Sequence, residues 1–128
     1  MIMKNNVVKN KSFDFAIRIV KLYQYLNNDK KEFVLSKQLL RSGISVGAMI
    51  REAEHAESKS DFIHKFAIAQ KEANETVYWL ELLKATDYLN GKEFENINND
   101  AISILKLITS ILKTSKNHLE AKKVSKLN

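Results

Sequence analysis

The sequence contains no cysteine and no proline, and only three of its 128 residues are glycine. Without cysteine the chain has no disulfide, no thiolate metal ligand and no cysteine nucleophile, which favours a cytoplasmic protein. The scarcity of helix breakers favours long helices over short strands. No apolar run approaches the roughly 20 residues that cross a bilayer, and the N-terminus lacks the apolar centre of a signal peptide. We therefore predict a helical, cytoplasmic protein with no membrane partner.

Positive charge is concentrated at the two ends of the chain, whose formal net charge is +6. Residues 1–12 hold three lysines and no acid, and residues 113–128 hold five lysines and one glutamate. The ends therefore carry +7 and the residues between them −1. We expect residues 1–128 to form a single domain with basic, flexible ends at 1–11 and 117–128. Basic ends favour an anionic partner.

Four segments show the apolar spacing of amphipathic helices, and none alternates as a β-strand does. The predicted spans are about 12–28, 35–56 and 58–89, and a fourth from Glu93 or Asn98 to Ser115 or beyond. Because the connections are short, neighbouring helices should be antiparallel. The sequence thus predicts an all-α, up-down-up-down four-helix bundle. Both termini and the turn between the second and third helices should then lie at one end.

The core-facing side of each helix is predicted from residue spacing. The third and fourth helices repeat apolar residues four and three apart, as helices packed nearly antiparallel do. The aromatic residues of the third helix are expected in this core rather than stacked on bases. The predicted faces are Phe13, Phe15, Ile17, Val20 and Leu22 in the first helix, Phe62, Phe66, Ala69, Ala73, Thr76, Leu80 and Leu83 in the third, and Ile97, Ala101, Ile104, Ile108 and Ile111 in the fourth.

Residue types that cap helices predict where the helices begin and end. Ser12 is expected to be the N-cap of the first helix. Ser58 and Asp61 have the spacing of a capping box and should open the third helix. The dipeptide 90–91, Asn-Gly, is predicted to end that helix as a C-cap.

The second helix carries a polar stripe where a bundle helix would normally be apolar. Gly43 and Gly47 should each cost about 1 kcal/mol in a helix interior, which close approach of another helix would offset. Three interpretations of the stripe remain open: a subunit contact, a polar seam inside one bundle, or a cleft for a small polar molecule. Residues spaced four and three apart share this face. They are Gln38, Ser42, Ser45, Met49 and Glu52.

Pairing the second and third helices about their turn places Arg41 level with Ala73, within reach of Glu72 and Glu75. An ion pair there should set the register of the helices more than it stabilises them, because desolvation opposes the attraction. The candidate oligomer or ligand face therefore comprises Gln38, Arg41, Ser42, Ser45, Met49, Glu52 and Glu75.

Two acid-histidine pairs, Glu52 with His55 and Asp61 with His64, resemble halves of a di-iron site. In ferritin-like bundles such pairs face each other at mid-bundle and are joined by two further glutamates. Here both pairs flank one turn, and the first and fourth helices show no inward glutamate. We therefore predict no metal, no cofactor and no catalytic residue, and thus no enzyme.

The run QLLRSGISVGAMIREAEHAESKSDFIHKFAIAQKEANETVYWLELL resembles the four-helix-bundle family of 23S rRNA intervening sequence proteins. That family couples a Q-L-x-R-S-x-x-S-x-x-A-N-I-x-E helix to a helix with the pattern S-x-x-x-F…I-A…A-x-E…W-L. Met49 stands where the family usually has asparagine. The matching residues are Gln38, Leu39, Arg41, Ser42, Ser45, Ala48, Ile50, Glu52, Ser58, Phe62, Ile68, Ala69, Ala73, Glu75, Trp79 and Leu80.

This resemblance implies a left-handed bundle that assembles into a homo-oligomer, most often a pentamer, with genes sometimes embedded in ribosomal RNA genes. It also implies a relation to a nucleic-acid-binding accessory subunit of reverse transcriptases in diversity-generating elements. The resemblance supplies no catalytic residues.

Two main functions are compatible with the sequence. The first is a non-enzymatic oligomer that binds RNA or DNA through its basic ends. The alternative is a scaffold whose partner is another protein, and an enzyme with a site in the bundle core is a third hypothesis. The candidate polyanion-binding residues are Lys4, Lys9, Lys11, Lys113, Lys116, Lys122, Lys123 and Lys126.

Overall fold

The computed structural model describes residues 2–127, with side chains from residue 5 onward. Within this range the chain forms four α-helices and no strand. The predicted all-α four-helix fold is confirmed. The helices are α1 (Ile2–Asn28), α2 (Leu35–Ala53), α3 (Lys59–Ala85) and α4 (Gly91–Leu127).

The four helices form a closed ring in which each packs against its two neighbours in sequence order, with α4 returning to α1. Residue numbers run in opposite directions across every pair, so all neighbours are antiparallel. The left-handed supercoil stays a prediction. Between α1 and α2 the contacts are Ile19 with Gly43 and Ser12 with Gly47, and between α2 and α3 they are Ser42 with Thr76 and Glu52 with Lys65. Between α3 and α4 they are Gln70 with Thr109 and Lys84 with Phe94, and between α1 and α4 they are Lys11 with Ser103 and Arg18 with Asp100.

The faces predicted for α3 and α4 are confirmed. All the α3 residues of the predicted face from Phe66 to Leu83 are buried, and so are those of α4 from Ile97 to Ile111. Phe62, at the start of the α3 face, is only partly buried. The two long helices thus form half of one continuous apolar core.

The face predicted for α1 is partly wrong. Phe13, Ile17 and Val20 are 52%, 41% and 39% exposed, whereas Phe15 is buried and Leu22 packs against the core. The exposed and the buried apolar stripes of α1 have similar spacing and are offset by about one residue. Because each residue turns the helix by about 100°, the two stripes lie on different faces. Contact with α2 and α4 selects the other stripe. The buried stripe is Val8, Ser12, Phe15, Ile19 and Leu26.

The helix glycines are explained by close packing within the chain. A Cβ added at Gly43 would lie 2.8 Å from Cγ2 of Ile19, and one at Gly47 would lie 3.3 Å from the carbonyl oxygen of Ser12. The expected close approach of another helix is therefore confirmed, and that helix is α1.

The beginning of α1 lies earlier than predicted. Ser12 is not an N-cap, because it lies inside the helix and its hydroxyl donates to the Lys9 carbonyl over 3.0 Å. A serine that bonds back to its own helix satisfies its hydroxyl without ending or starting the helix. Val8 is completely buried, so the segment before Ser12 belongs to the bundle. The mobility of residues 1–11 and 117–128 in solution stays a prediction.

The turn between α2 and α3 begins earlier than the predicted spans imply, since α2 ends at Ala53 rather than at residue 56. The predicted cap of α3 is confirmed: the Ser58 hydroxyl accepts a hydrogen bond from the Asp61 amide over 3.0 Å. The Asp61 carboxylate in turn accepts from the Glu57 amide over 3.2 Å.

The α3–α4 turn corrects another prediction. α3 ends at Ala85, followed by Asp87 at a φ of 68°. Gly91 is the first residue of α4 and does not end α3. The Asn90 side-chain oxygen accepts from the Glu93 amide over 2.8 Å, and the Asn90 amide donates to the Glu93 carboxylate over 2.9 Å. This reciprocal pair is a capping box that opens α4.

The α1–α2 turn is held by Glu32, which the sequence did not single out. Its buried carboxylate accepts hydrogen bonds from the amides of Val34, Leu35 and Ser36 over 2.5 to 3.1 Å. A carboxylate placed there satisfies free N–H groups and the positive end of the helix dipole. We call the end formed by the α1–α2 and α3–α4 turns the closed end.

Candidate nucleic-acid interface

The opposite end of the bundle is formed by helices of unequal length. The last buried residue of α4 is Ser115, and every residue from 120 to 127 is exposed. At 1.5 Å per residue, these eight residues extend about 12 Å. The start of α1 and the α2–α3 turn lie at the same end. We call residues 5–11, 54–61 and 113–127 the open end.

The lysines of α4 are the main positive charges of the open end. Lys113, Lys116, Lys122 and Lys126 are exposed, and none of them forms an ion pair within residues 5–127. Lys123 lies 3.8 Å from Glu120, one turn away. Exposed lysines without acidic partners are free to neutralise phosphates.

The lysines of α1 are partly engaged by the protein itself. Lys9 Nζ lies 2.8 Å from a carboxylate oxygen of Glu54. The hydrogen bond from Lys9 holds the pKa of Glu54 below its usual value. Lys11 donates to the Ser103 hydroxyl over 3.2 Å. The side chain of the predicted residue Lys4 lies outside the described part of the chain.

A cleft of about 620 Å³ opens at this end between α1, α2 and α3. Its position was not predicted, because residues 5 and 6 precede the predicted start of α1 and Phe62 was expected in the core. The prediction lacked the fact that α1 begins at Ile2, which brings residues 5 and 6 into this end of the bundle. The lining has an apolar floor of Ile50, Ala53, Phe62 and Phe66 and a polar rim of Asn5, Asn6, Lys9, Glu54, Ser58 and Lys59.

The centre of the polar stripe on α2 lies inside the bundle. Ser42 and Thr76 are completely buried, and their hydroxyl oxygens are 3.0 Å apart in a hydrogen bond. The Ser45 hydroxyl donates back to the Arg41 carbonyl over 2.5 Å. At these positions the stripe is a polar seam inside one bundle and does not line a cleft for a small polar molecule.

The edges of the stripe reach the surface. Gln38 and Glu52 are exposed, and Glu52 lies 3.4 Å from Lys65. Met49 is partly buried against the core. A subunit contact through these edge residues stays a prediction.

The expected ion pair across α2 and α3 is confirmed. Arg41 bonds the Glu72 carboxylate over 3.2 Å and also bonds Glu75, which accepts a further hydrogen bond from the Trp79 indole over 3.3 Å. The hydrogen bond from Arg41 lowers the pKa of Glu75 and raises that of Arg41 itself. The pair lies at the rim of the α2–α3 contact, where it orients the two helices.

An exposed apolar surface runs along α1 and α2. We call Phe13, Ile17, Val20 and Ile44 the α1 stripe. The Arg51 guanidinium lies 5.5 Å from the centroid of the Phe13 ring, and Ile44 precedes Arg51 by two turns on the same face of α2. Contiguous exposed apolar side chains often mark interaction surfaces. The three α1 residues of this stripe are the ones that the sequence pattern wrongly predicts to face the core.

In the part of the chain that the structure describes, no three histidine or acidic side chains are grouped so as to hold a metal ion. Glu52 and Asp61 are engaged by Lys65 and by the Glu57 amide. None of the described helices has the length and apolar character required to cross a membrane.

Residues 4–110 match the family model of the 23S rRNA-intervening sequence proteins. The chain is also similar to a crystal structure at 1.70 Å resolution of a protein of unknown function from the S23 ribosomal protein family of Bacteroides thetaiotaomicron. The two sequences are 62% identical, the match covers 86% of this chain and 98% of the other, and the TM-score is 0.85. No curated protein sequence matches the chain.

Proposed function

The chain belongs to the family of 23S rRNA-intervening sequence proteins, and we propose that it is a non-enzymatic oligomer that binds RNA through the lysines of its open end. The names of the matched family and of the family of the similar structure refer to ribosomal RNA and to a ribosomal protein. Both names concern RNA and neither concerns a reaction.

The observation that carries this proposal is the exposed lysine surface of α4. The five lysines between residues 113 and 126 lie on a helix that continues past the core, and four of them have no acidic partner among residues 5–127. Each phosphate that a lysine neutralises releases condensed counterions, which favours binding at low salt. Such contacts do not read sequence, so little preference among RNA sequences is expected.

Oligomerisation through the α1 stripe would place several such helices on one particle. The stripe exposes three large apolar side chains on α1 and one on α2, and a second copy of the chain would remove them from water. We expect a mass several times 14.7 kDa by light scattering at micromolar concentration, with five copies favoured by the family resemblance.

The assembly is tested by Phe13→Glu, which should shift the mass toward that of the monomer. Phe33→Glu is the matched control, because Phe33 is equally exposed but lies in the α1–α2 turn. A monomeric intact protein, or the same mass for both variants, would contradict the α1 stripe as the subunit contact.

RNA binding is tested with two variants of equal charge. The first replaces the five α4 lysines of the open end by glutamine. The control replaces five lysines on α1, α3, α4 and the α1–α2 turn, toward the closed end. The first variant should bind RNA far more weakly, and the log-log slope of affinity against salt should decrease by about 0.7 for each phosphate that the protein no longer neutralises. The residues changed are Lys113, Lys116, Lys122, Lys123 and Lys126 in the first variant and Lys21, Lys30, Lys31, Lys84 and Lys92 in the control.

Equal reductions of affinity in the two variants would mean that only total charge matters, and would contradict an RNA surface at the open end. Absence of RNA binding by the intact protein at low salt would favour the protein-interaction scaffold.

A further inference from the structure

The cleft at the open end has the size and chemistry of a binding site rather than of a packing defect. Its volume of about 620 Å³ lies within the roughly 300–1,000 Å³ of small-ligand pockets. Such pockets combine apolar walls with polar groups that orient the ligand, and both are present here. Two positive side chains, Lys9 and Lys59, stand at this rim against one negative side chain, Glu54, which Lys9 already pairs.

The floor includes an aromatic ring that is not fully covered. Phe62 is partly buried and packs against Phe66, with ring centroids 4.7 Å apart and ring planes tilted by 32°. Lys59 Nζ lies 5.4 Å from the Phe62 ring centroid. A partly exposed aromatic ring beside a lysine is a combination that proteins use to bind the bases of single-stranded nucleic acids, and Lys59 would have to move off the Phe62 ring to admit a base.

The rim includes a hydrogen-bond acceptor that the protein does not satisfy. The side-chain oxygen of Asn5 is buried, and within the described residues it accepts no hydrogen bond. A buried polar atom normally has a partner. Rotation of the Asn5 side chain toward the cleft would let this oxygen accept from an amino or imino N–H on the edge of a nucleobase.

The cleft also adjoins the lysine surface. Lys59 lines both the cleft and a smaller hollow of about 300 Å³ whose other walls include His118 and Lys122 of α4. A strand whose phosphates lie along α4 can therefore place one base next to Lys59. We propose that the cleft binds one unstacked base of single-stranded RNA, an inference that rests on the RNA binding proposed above and specifies the form of RNA.

The test compares three ligands at equal charge and salt: a single-stranded oligoadenylate, an RNA duplex and inorganic polyphosphate. The intact protein should bind the single strand at least about fivefold more tightly than the other two, because stacking of one base adds to the phosphate contacts. Binding is measured by fluorescence anisotropy for the RNAs and by competition for polyphosphate.

Phe62→Leu keeps an apolar side chain but removes the ring, and should lower affinity for the single strand about fivefold or more while leaving polyphosphate binding unchanged. Phe94→Leu is the matched control, since Phe94 is also partly buried under a lysine, Lys84, at the closed end. Far-ultraviolet circular dichroism establishes that each variant is folded.

Asn5→Ala supplies an independent test if Phe62→Leu does not fold. Its control is Asn98→Ala, because Asn98 also has a buried, unsatisfied side-chain oxygen but does not line the cleft. Only Asn5→Ala should weaken single-strand binding.

Equal affinity for the single strand and polyphosphate, or equal effects of each variant and its control, would overturn the base site while leaving electrostatic RNA binding intact. Failure of the intact protein to bind any of the three ligands would overturn both proposals.

Discussion

The two ends of the bundle are built differently. At the closed end, Glu32 satisfies the first amides of α2, and Asn90 forms a capping box with Glu93 at the start of α4. Leu89 is buried beside that box. At the open end, the one turn has the exposed Ser58 cap, and α4 continues past the core as an exposed extension.

The difference separates stability from binding within one chain. Each hydrogen-bonded turn at the closed end orders a helix pair. The open end has exposed lysines and a cleft with an unsatisfied acceptor. Binding sites occur more often on such weakly constrained parts of a fold, supported by a rigid remainder.

The largest expected effect is truncation of a core side chain at the closed end. Leu89→Ala should lower the free energy of unfolding by about 2–5 kcal/mol, because it removes a buried side chain and leaves a cavity. Leu119→Ala at the partly exposed end of α4 should cost less than about 1 kcal/mol. Urea unfolding monitored by circular dichroism measures both. Similar costs for the two variants would mean that the α4 extension is packed as tightly as the closed end.

A smaller effect is expected from the helix caps. Glu32→Gln should cost about 1–2 kcal/mol, since a neutral amide replaces a carboxylate that accepts hydrogen bonds from three backbone amides. Asp61→Asn at the open end should cost less than about 0.5 kcal/mol, because the Asp61 cap is exposed to water. Thermal unfolding at neutral pH compares the two. A larger cost at Asp61 would reverse the proposed contrast between the ends.

The smallest effect concerns the ion pair of Lys9 with Glu54 at the open end. The folded-state pKa of Glu54 is lowered, so any stability from the pair is present above the usual carboxyl pKa of about 4.5 and is lost as pH falls below it. Glu54→Gln should therefore lower the melting temperature slightly at pH 7 and low salt. The difference should shrink as pH falls through the lowered pKa of Glu54, and it should disappear in 1 M salt, where the pair is screened. A difference that persists in 1 M salt would exclude this ion pair as its cause.

The errors at helix ends share a physical cause. Serine and asparagine cap helices, but serine also bonds back to its own helix and asparagine also occurs in turns. Ser12 and Asn90 therefore had two interpretations each. For Asn90 the sequence did contain a deciding signal, because Glu93 three residues later completes a capping box that opens a helix.

The candidate site was predicted only in part. The lysines at the end of α4 are visible in the sequence because charge does not depend on folding. The cleft was not, since its walls come from three helices that meet only in the tertiary structure.

Residue spacing within each helix and the short connections were enough to predict the four helices, the buried faces of α3 and α4, and the register that joins Arg41 to Glu75. Packing between the helices was needed to establish which stripe of α1 is buried, which helix fills the space at Gly43, and where unequal helix lengths leave a cleft. Those outcomes depend on contacts between residues far apart in the chain, and periodicity within one helix carries no information about its neighbours.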